Sequence, residues 1–164
     1  MKSFTRLIDK GLSVLLIALM AMIVVVVTWQ VVTRFLMSSP SSYTEELARF
    51  LLIWIGLLGG SYALRTHSHL GIDILSTKLQ GKQKELLIVL IYLLVILFAA
   101  LIMVIGGIKL VALTFSLDQI SASLGIRMGY IYLVIPLSGL VMIIYSLDEI
   151  LDAMKGTAVQ EEVS

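Results

Sequence analysis

Three long uncharged segments constrain the fold of this chain more than any other feature. Residues 11–33 and 86–108 each run for 23 residues without a charged side chain, and residues 128–147 run for 20. A helix needs roughly 20 apolar residues to cross the hydrocarbon core of a bilayer, so each segment predicts a transmembrane helix. The composition agrees, because 59% hydrophobic and 14% charged residues leave too little polar surface for a water-soluble globule.

The first segment has a competing interpretation as a secretory signal peptide. Lys2, Arg6 and Lys10 would form its basic beginning. However, the apolar stretch is longer than the roughly 7 to 15 residues typical of a signal peptide, and no small-x-small cleavage site follows it. We therefore expect a permanent helix.

The segment at residues 45–65 is shorter, with only 15 uncharged residues between Arg49 and Arg65. It could cross the membrane or lie on its surface. Arg49 lies near one end, where its side chain can reach the interface, so a crossing is feasible. A crossing also places most basic residues on the cytoplasmic side, as the positive-inside rule requires. That side would hold Lys2, Arg6, Lys10, Arg65, Lys78, Lys82, Lys84 and Lys155.

These observations predict an all-α integral membrane protein with four transmembrane helices and both termini in the cytoplasm. The helices are expected at about residues 11–33, 45–65, 86–110 and 128–147, in a single transmembrane domain that spans residues 1–164. Pro136 lies inside the last helix and predicts a bend there, because proline removes a backbone donor.

One face of the second helix carries polar and small residues at spacings of three and four. Gly56 and Gly60 form a GxxxG pair, which lets a neighbouring backbone approach closely. Glu45 and Glu46 lie within helical reach of Arg49. The spacing predicts a surface that packs against another protein, and a proton or ion relay is the alternative. The residues of this face are Glu46, Arg49, Ile53, Gly56, Gly60 and Ala63.

Other chemistry finds little support in the sequence. His67 and His69 are spaced to offer two imidazoles to a metal, with Asp73 as the nearest further ligand, but a complete ligand set is missing. There is no cysteine, no phosphate-binding loop and no nucleophile motif. A formal net charge of +1 does not indicate nucleic-acid binding. We expect no catalytic, metal or cofactor site.

A motif around the second helix resembles the signature of the small membrane subunit of TRAP transporters, the DctQ-like family. Tyr43 stands where that family often has tryptophan. The residues that carry the resemblance are Tyr43, Thr44, Glu45, Glu46, Leu47, Ala48, Arg49, Trp54, Gly59, Arg65, His69 and Asp73.

The resemblance implies a subunit of a tripartite, ATP-independent symport system in a bacterial inner membrane. In such systems a periplasmic binding protein delivers an organic acid, such as sialic acid or a C4-dicarboxylate, to a membrane pair driven by a sodium gradient. The large subunit carries the transport sites, and the small one acts as a scaffold. The alternative function is a self-contained small transporter or channel that uses Glu46, Arg49 and Lys109 as pathway groups.

Overall fold

The computed structural model describes residues 2–36, 42–66 and 82–163, and within these ranges every regular element is a helix. A π-helical segment at Ala99–Gly106 joins the helix Lys82–Phe98 to the helix Gly107–Ser116, so the three pieces form one continuous helix. The α-helices are α1 (Lys2–Leu36), α2 (Ser42–Arg65), α3 (Lys82–Phe98), α4 (Gly107–Ser116), α5 (Met128–Tyr132) and α6 (Val134–Val163).

Four stretches of these helices are long and apolar enough to cross a membrane. They are Thr5–Leu36, Ser42–Arg65, Leu86–Ser116 and Met128–Ala153. The prediction of an all-α membrane protein with four spans is confirmed, including the shorter second span. Which side each terminus occupies stays a prediction.

The helices share a narrow core formed by α1, α2 and the last span. Leu12, Leu58, Val134 and Tyr145 are buried together there. In contrast, many large apolar side chains of α1 and α3 are exposed, including Val25 and Leu94. Lipid tails are as apolar as leucine, so such exposed faces suit a protein that is solvated by a bilayer.

Glycines bring the third and fourth spans into close contact. A Cβ added to Gly139 would lie 2.7 Å from Cβ of Met103, and one added to Gly107 would lie 2.9 Å from Cδ of Pro136. Both distances are too short for a real side chain. Among the described glycines, the positions with no room for a Cβ therefore lie outside the GxxxG pair of α2.

The last span is interrupted at Leu133, which separates α5 from α6. Pro136 lacks the N–H that would bond to the carbonyl of Tyr132, and its ring crowds that carbonyl. The helical hydrogen-bond pattern is consequently interrupted in the turn before the proline, whereas the backbone of Leu133 keeps helical dihedral angles of φ −56° and ψ −25°. The indole N–H of Trp54 donates a hydrogen bond of 3.2 Å to the carbonyl of Ile131, so α2 supports the interrupted turn.

Candidate functional site on the second helix

The Glu46 side chain connects α2 to the loop between the third and fourth spans by hydrogen bonds. Its Oε2 atom accepts hydrogen bonds from the backbone N–H groups of Ser123 at 2.9 Å and Leu124 at 3.0 Å. The loop folds back on itself, because the N–H of Ser121 donates to the carbonyl of Ile126 at 2.8 Å. Gly125 has φ = +66°, a conformation that favours glycine. The carboxylate thus holds an ordered turn.

Replacing Glu46 with glutamine is expected to loosen this turn. Hydrogen bonds to a charged acceptor are stronger than those to a neutral one, so the amide of glutamine should hold the two backbone N–H groups less firmly. Amide hydrogen exchange in a peptide covering residues 117–127 should become about ten-fold faster or more. Glu45→Gln is the matched control, because Glu45 lies one residue away and its carboxylate pairs with Arg49. Equal exchange rates in the two variants would contradict this role.

Arg65 connects three helices at the opposite end of α2. Its guanidinium lies 2.8 Å from Oε1 of Glu149, 3.4 Å from Oδ2 of Asp148 and 3.6 Å from Oδ2 of Asp9. The Arg65 Cζ atom also lies 6.0 Å from the ring centroid of the buried Tyr145. We call these five residues the Arg65 cluster. It joins α1, α2 and α6 through charge pairs at one membrane end.

The acidic partners of Arg65 were not predicted from the sequence. The predicted topology could have indicated these partners, because in a four-span chain the start of the first helix and the ends of the second and fourth helices lie on the same side of the membrane. Asp9, Asp148 and Glu149 could therefore have been placed at the depth of Arg65 from the topology alone.

The residues of the predicted packing face do not all point in one direction. Ile53 packs against the core, and a Cβ added to Gly60 would lie 3.8 Å from Cε of Met142. Arg49 and Gly56 are exposed, and Ala63 is half-buried. Glu46 reaches the loop, as described above. The structure thus divides this face between internal contacts and exposed surface.

Arg49 pairs with Glu45 on the exposed side of α2. Their Nη2 and Oε1 atoms are 3.2 Å apart, and the two side chains are 67% and 62% exposed. Glycines continue this side of the helix, because a Cβ added to Gly56 or Gly59 would meet nothing within 4 Å. We call the surface formed by Glu45, Arg49, Leu52, Gly56 and Gly59 the outer stripe of α2.

The remaining predicted residues fall elsewhere. Tyr43 is exposed at the beginning of α2, and Lys109 is exposed on α4. Within the described ranges no group of three or more His, Cys, Asp or Glu side chains is placed to hold a metal ion. Residues 67–81, which include His67, His69 and Asp73, lie outside the described residues.

The fold and the contacts of α2 define a small four-span membrane protein in which Glu46, Trp54 and Arg65 of the motif connect α2 to the rest of the chain. Residues 23–156 match the model of the family described as tripartite ATP-independent periplasmic transporters, DctQ component. The chain belongs to this family, and the resemblance carried by the motif of α2 is confirmed. It is a multi-pass membrane protein of the small permease class.

Individual relatives agree with the family match. The sialic acid TRAP transporter small permease protein SiaQ of Vibrio cholerae is 30% identical over 160 residues, which cover 94% of this chain and 88% of that protein. The C4-dicarboxylate TRAP transporter small permease protein DctQ of Rhodobacter capsulatus is 29% identical over 100 residues, or 61% of this chain and 44% of that protein.

A third relative is a much longer protein. The isethionate TRAP transporter permease protein DctMQ of Oleidesulfovibrio alaskensis is 26% identical over 129 residues. The match covers 75% of this chain but only 20% of that permease. A sequence similar to this chain is thus part of a larger membrane protein in that organism.

Proposed function

We propose that this chain is the non-catalytic scaffold subunit of a sodium-driven TRAP transporter that takes up organic acids across a bacterial inner membrane. It braces a large permease subunit, and a periplasmic binding protein delivers the solute. The observation that carries the proposal is that two sets of residues on α2 have different contacts. Glu46, Trp54 and Arg65 hold the chain's own helices together, whereas the outer stripe faces away from them.

The outer stripe has the chemistry of a surface that meets another protein. Ionisable residues within membrane spans almost always face protein or a water-filled cavity, and small residues let helices approach closely. A glycine in a helix costs about 1 kcal/mol relative to alanine, and contact with lipid does not recover this cost. Arg49 and Gly56 of the predicted packing face stay in the proposed interface, and Glu45, Leu52 and Gly59 join it.

The names of the relatives support the solute class and the partner. Sialic acid, C4-dicarboxylates and isethionate are all organic acids, and these words appear in the names of the relatives described above. The DctMQ match supports a large permease as the partner, because a sequence similar to this chain occupies one part of that longer protein.

The alternative of a self-contained transporter or channel is less well supported. The Glu46 carboxylate is engaged by the loop, and Arg49 is paired with Glu45. Lys109 is exposed on α4. Uptake into proteoliposomes separates the two functions: the scaffold function requires sodium-dependent uptake only when this chain is combined with the large permease and binding protein. Uptake by this chain alone would establish the alternative.

Leucine substitutions at Gly56 and Gly59 test the interface. A branched side chain at either position would hold a partner helix away, so the double variant should copurify with the large permease about ten-fold less well. Gly11→Leu on α1 is the matched control, because its added Cβ also meets nothing within 4 Å of this chain. Full copurification and normal uptake by the double variant would remove the outer stripe from the interface.

Cysteine labelling tests the orientation of the chain. With cytoplasmic termini, a Ser123→Cys substitution in the loop after α4 should react with a membrane-impermeant thiol reagent in intact spheroplasts. A Ser76→Cys substitution should be protected until the membrane is opened. The natural chain has no cysteine, so the background is clean. The reverse labelling pattern would invert the proposed topology.

A further inference from the structure

An apolar groove lies beside α2 near its Arg65 end. The helices α2 and α3 both pack against α6 and form the walls of the groove, and a methionine of α6 completes its lining. The four lining residues of α3 recur at spacings of three and four, so they form one stripe along that helix. The residues that line the groove are Leu64, Ile91, Leu94, Val95, Phe98 and Met142.

A polar pocket lies beside the other end of α2. It forms where α2 meets the loop that Glu46 holds, and it includes Glu45 and Arg49 of the outer stripe. The outer stripe therefore begins at a polar pocket. The residues that line this pocket are Ser42, Glu45, Glu46, Arg49, Ala122 and Ser123.

Gly60 connects the outer stripe to the apolar groove. It lies about one helical turn after Gly56 of the stripe and one turn before Leu64 of the groove. A Cβ added to Gly60 would lie 3.8 Å from Cε of Met142, which also lines the groove. The stripe and the groove are thus parts of one continuous surface.

The polar pocket and the groove lie on the same side of α2. Ser42 and Gly60 are 18 residues apart, and so are Glu46 and Leu64. Because a helix has 3.6 residues per turn, 18 residues correspond to about five full turns, and the members of each pair point in the same direction. Both sites therefore border the outer stripe on one flank.

The separation of the two sites favours a helix over a lipid as the molecule that fills them. At a rise of 1.5 Å per residue, Glu46 and Leu64 are about 27 Å apart along α2. One leaflet supplies about 15 Å of hydrocarbon, half of the bilayer core, so a single phospholipid reaches only one of the sites. A helix that crosses the membrane beside α2 reaches both.

We propose that one transmembrane helix of the large permease lies along this flank of α2, with apolar side chains in the groove and a hydrogen-bonding side chain in the polar pocket. The inference rests on the proposed function and extends the contact made by the outer stripe. The groove supplies close packing, which drives helix association in a bilayer. The polar pocket fixes the position of the partner helix along α2, because a polar side chain is satisfied at one depth only.

Photocrosslinking amino acids at positions 42 and 94, introduced one at a time, test the proposal in membranes that contain the assembled transporter. Ser42 lines the polar pocket, and Leu94 is 55% exposed at the groove. We expect both probes to form adducts with the same transmembrane segment of the large permease, at sites about 15 to 20 residues apart. Adducts with two different segments of the permease, or with phospholipid at either position, would overturn the inference.

Tryptophan substitutions test the groove separately. Leu94→Trp should fill the groove and lower copurification with the large permease about ten-fold, because the indole takes the space of the partner's side chains. Leu93→Trp is the matched control and should copurify fully, since Leu93 is 53% exposed and does not line the groove. Equal copurification of the two variants would contradict a helix in the groove. The thermal midpoint in the same detergent identifies a variant that does not fold.

The glycine variants of the outer stripe distinguish failure of this inference from failure of the proposed function. If the Gly56 and Gly59 double variant loses the permease while Leu94→Trp retains it, the proposed function stands and the inference is wrong. If the natural chain itself does not copurify with the permease, the proposed function fails.

Discussion

Replacing Arg65 with methionine is expected to lower the free energy of unfolding by about 3 to 5 kcal/mol, the cost of removing one partner from a buried charge pair. Three carboxylates would lose their shared cation, and the side chain of one of them, Asp148, is only 3% exposed. Methionine keeps much of the length and apolar stem of arginine, so the loss should come mainly from charge. The expected result is a poor yield and a strongly lowered thermal midpoint in detergent.

Arg49→Met is the control for the Arg65 substitution. The two arginines lie on the same helix, but the Arg49–Glu45 pair is exposed, and such pairs contribute about 0.2 to 1 kcal/mol. Arg49→Met should therefore leave the thermal midpoint of the isolated chain nearly unchanged. Substituting Asp148 with asparagine in the Arg65→Met background should recover part of the loss by removing a buried charge. Similar midpoints for the two single variants would contradict a structural role for the Arg65 cluster.

Gly139→Ala should destabilise the packing of the third span on the fourth by about 1 to 3 kcal/mol, the usual cost of adding a methyl group to a filled space. The added Cβ would lie 2.7 Å from Cβ of Met103 and 3.3 Å from the carbonyl oxygen of Ala99. Backbone and Cβ atoms cannot rotate away, so the π segment and α6 would have to separate.

Gly56→Ala supplies the matched control for the Gly139 substitution. Both glycines are helical, but an added Cβ at Gly56 meets nothing within 4 Å, and alanine is the better helix former. The Gly56 variant should unfold at the same temperature as the natural chain or slightly higher. Thermal unfolding in one detergent, followed by circular dichroism, measures both variants. A Gly139 variant as stable as the Gly56 variant would exclude the proposed close contact.

Together with the glycine substitutions on the outer stripe, these variants distinguish glycines that pack within the chain from glycines that are proposed to contact a partner. Gly139 serves contact within the chain, so its substitution should affect stability. Gly56 and Gly59 are proposed to serve contact with a partner, so their substitution should affect copurification but not unfolding. The two measurements are independent, and each variant is expected to change only one of them.

The four spans could be predicted from the sequence because membrane insertion depends on local properties of the chain. About 20 consecutive apolar residues satisfy the bilayer core by themselves, whatever the rest of the fold does. Residues 11–33, 86–108 and 128–147 met that criterion directly. The charge asymmetry then favoured a crossing for the shorter segment, which the structure shows as Ser42–Arg65. The motif of α2 likewise indicated the family before any tertiary contact was known.

The contacts of individual residues depended on tertiary structure, because helical spacing places side chains on faces without specifying what each face meets. Glu46 and Glu45 lie at similar distances from Arg49 in sequence, yet Glu45 forms the ion pair and Glu46 holds a loop some 77 residues away. The GxxxG pattern at Gly56 and Gly60 indicated close packing, but among the described glycines it is Gly107, Gly129 and Gly139 that leave no room for a Cβ. These outcomes follow from the rotation of α2 about its axis. That rotation is set by all of its neighbours at once, including Ile131 beside the break near Pro136 and the three carboxylates around Arg65.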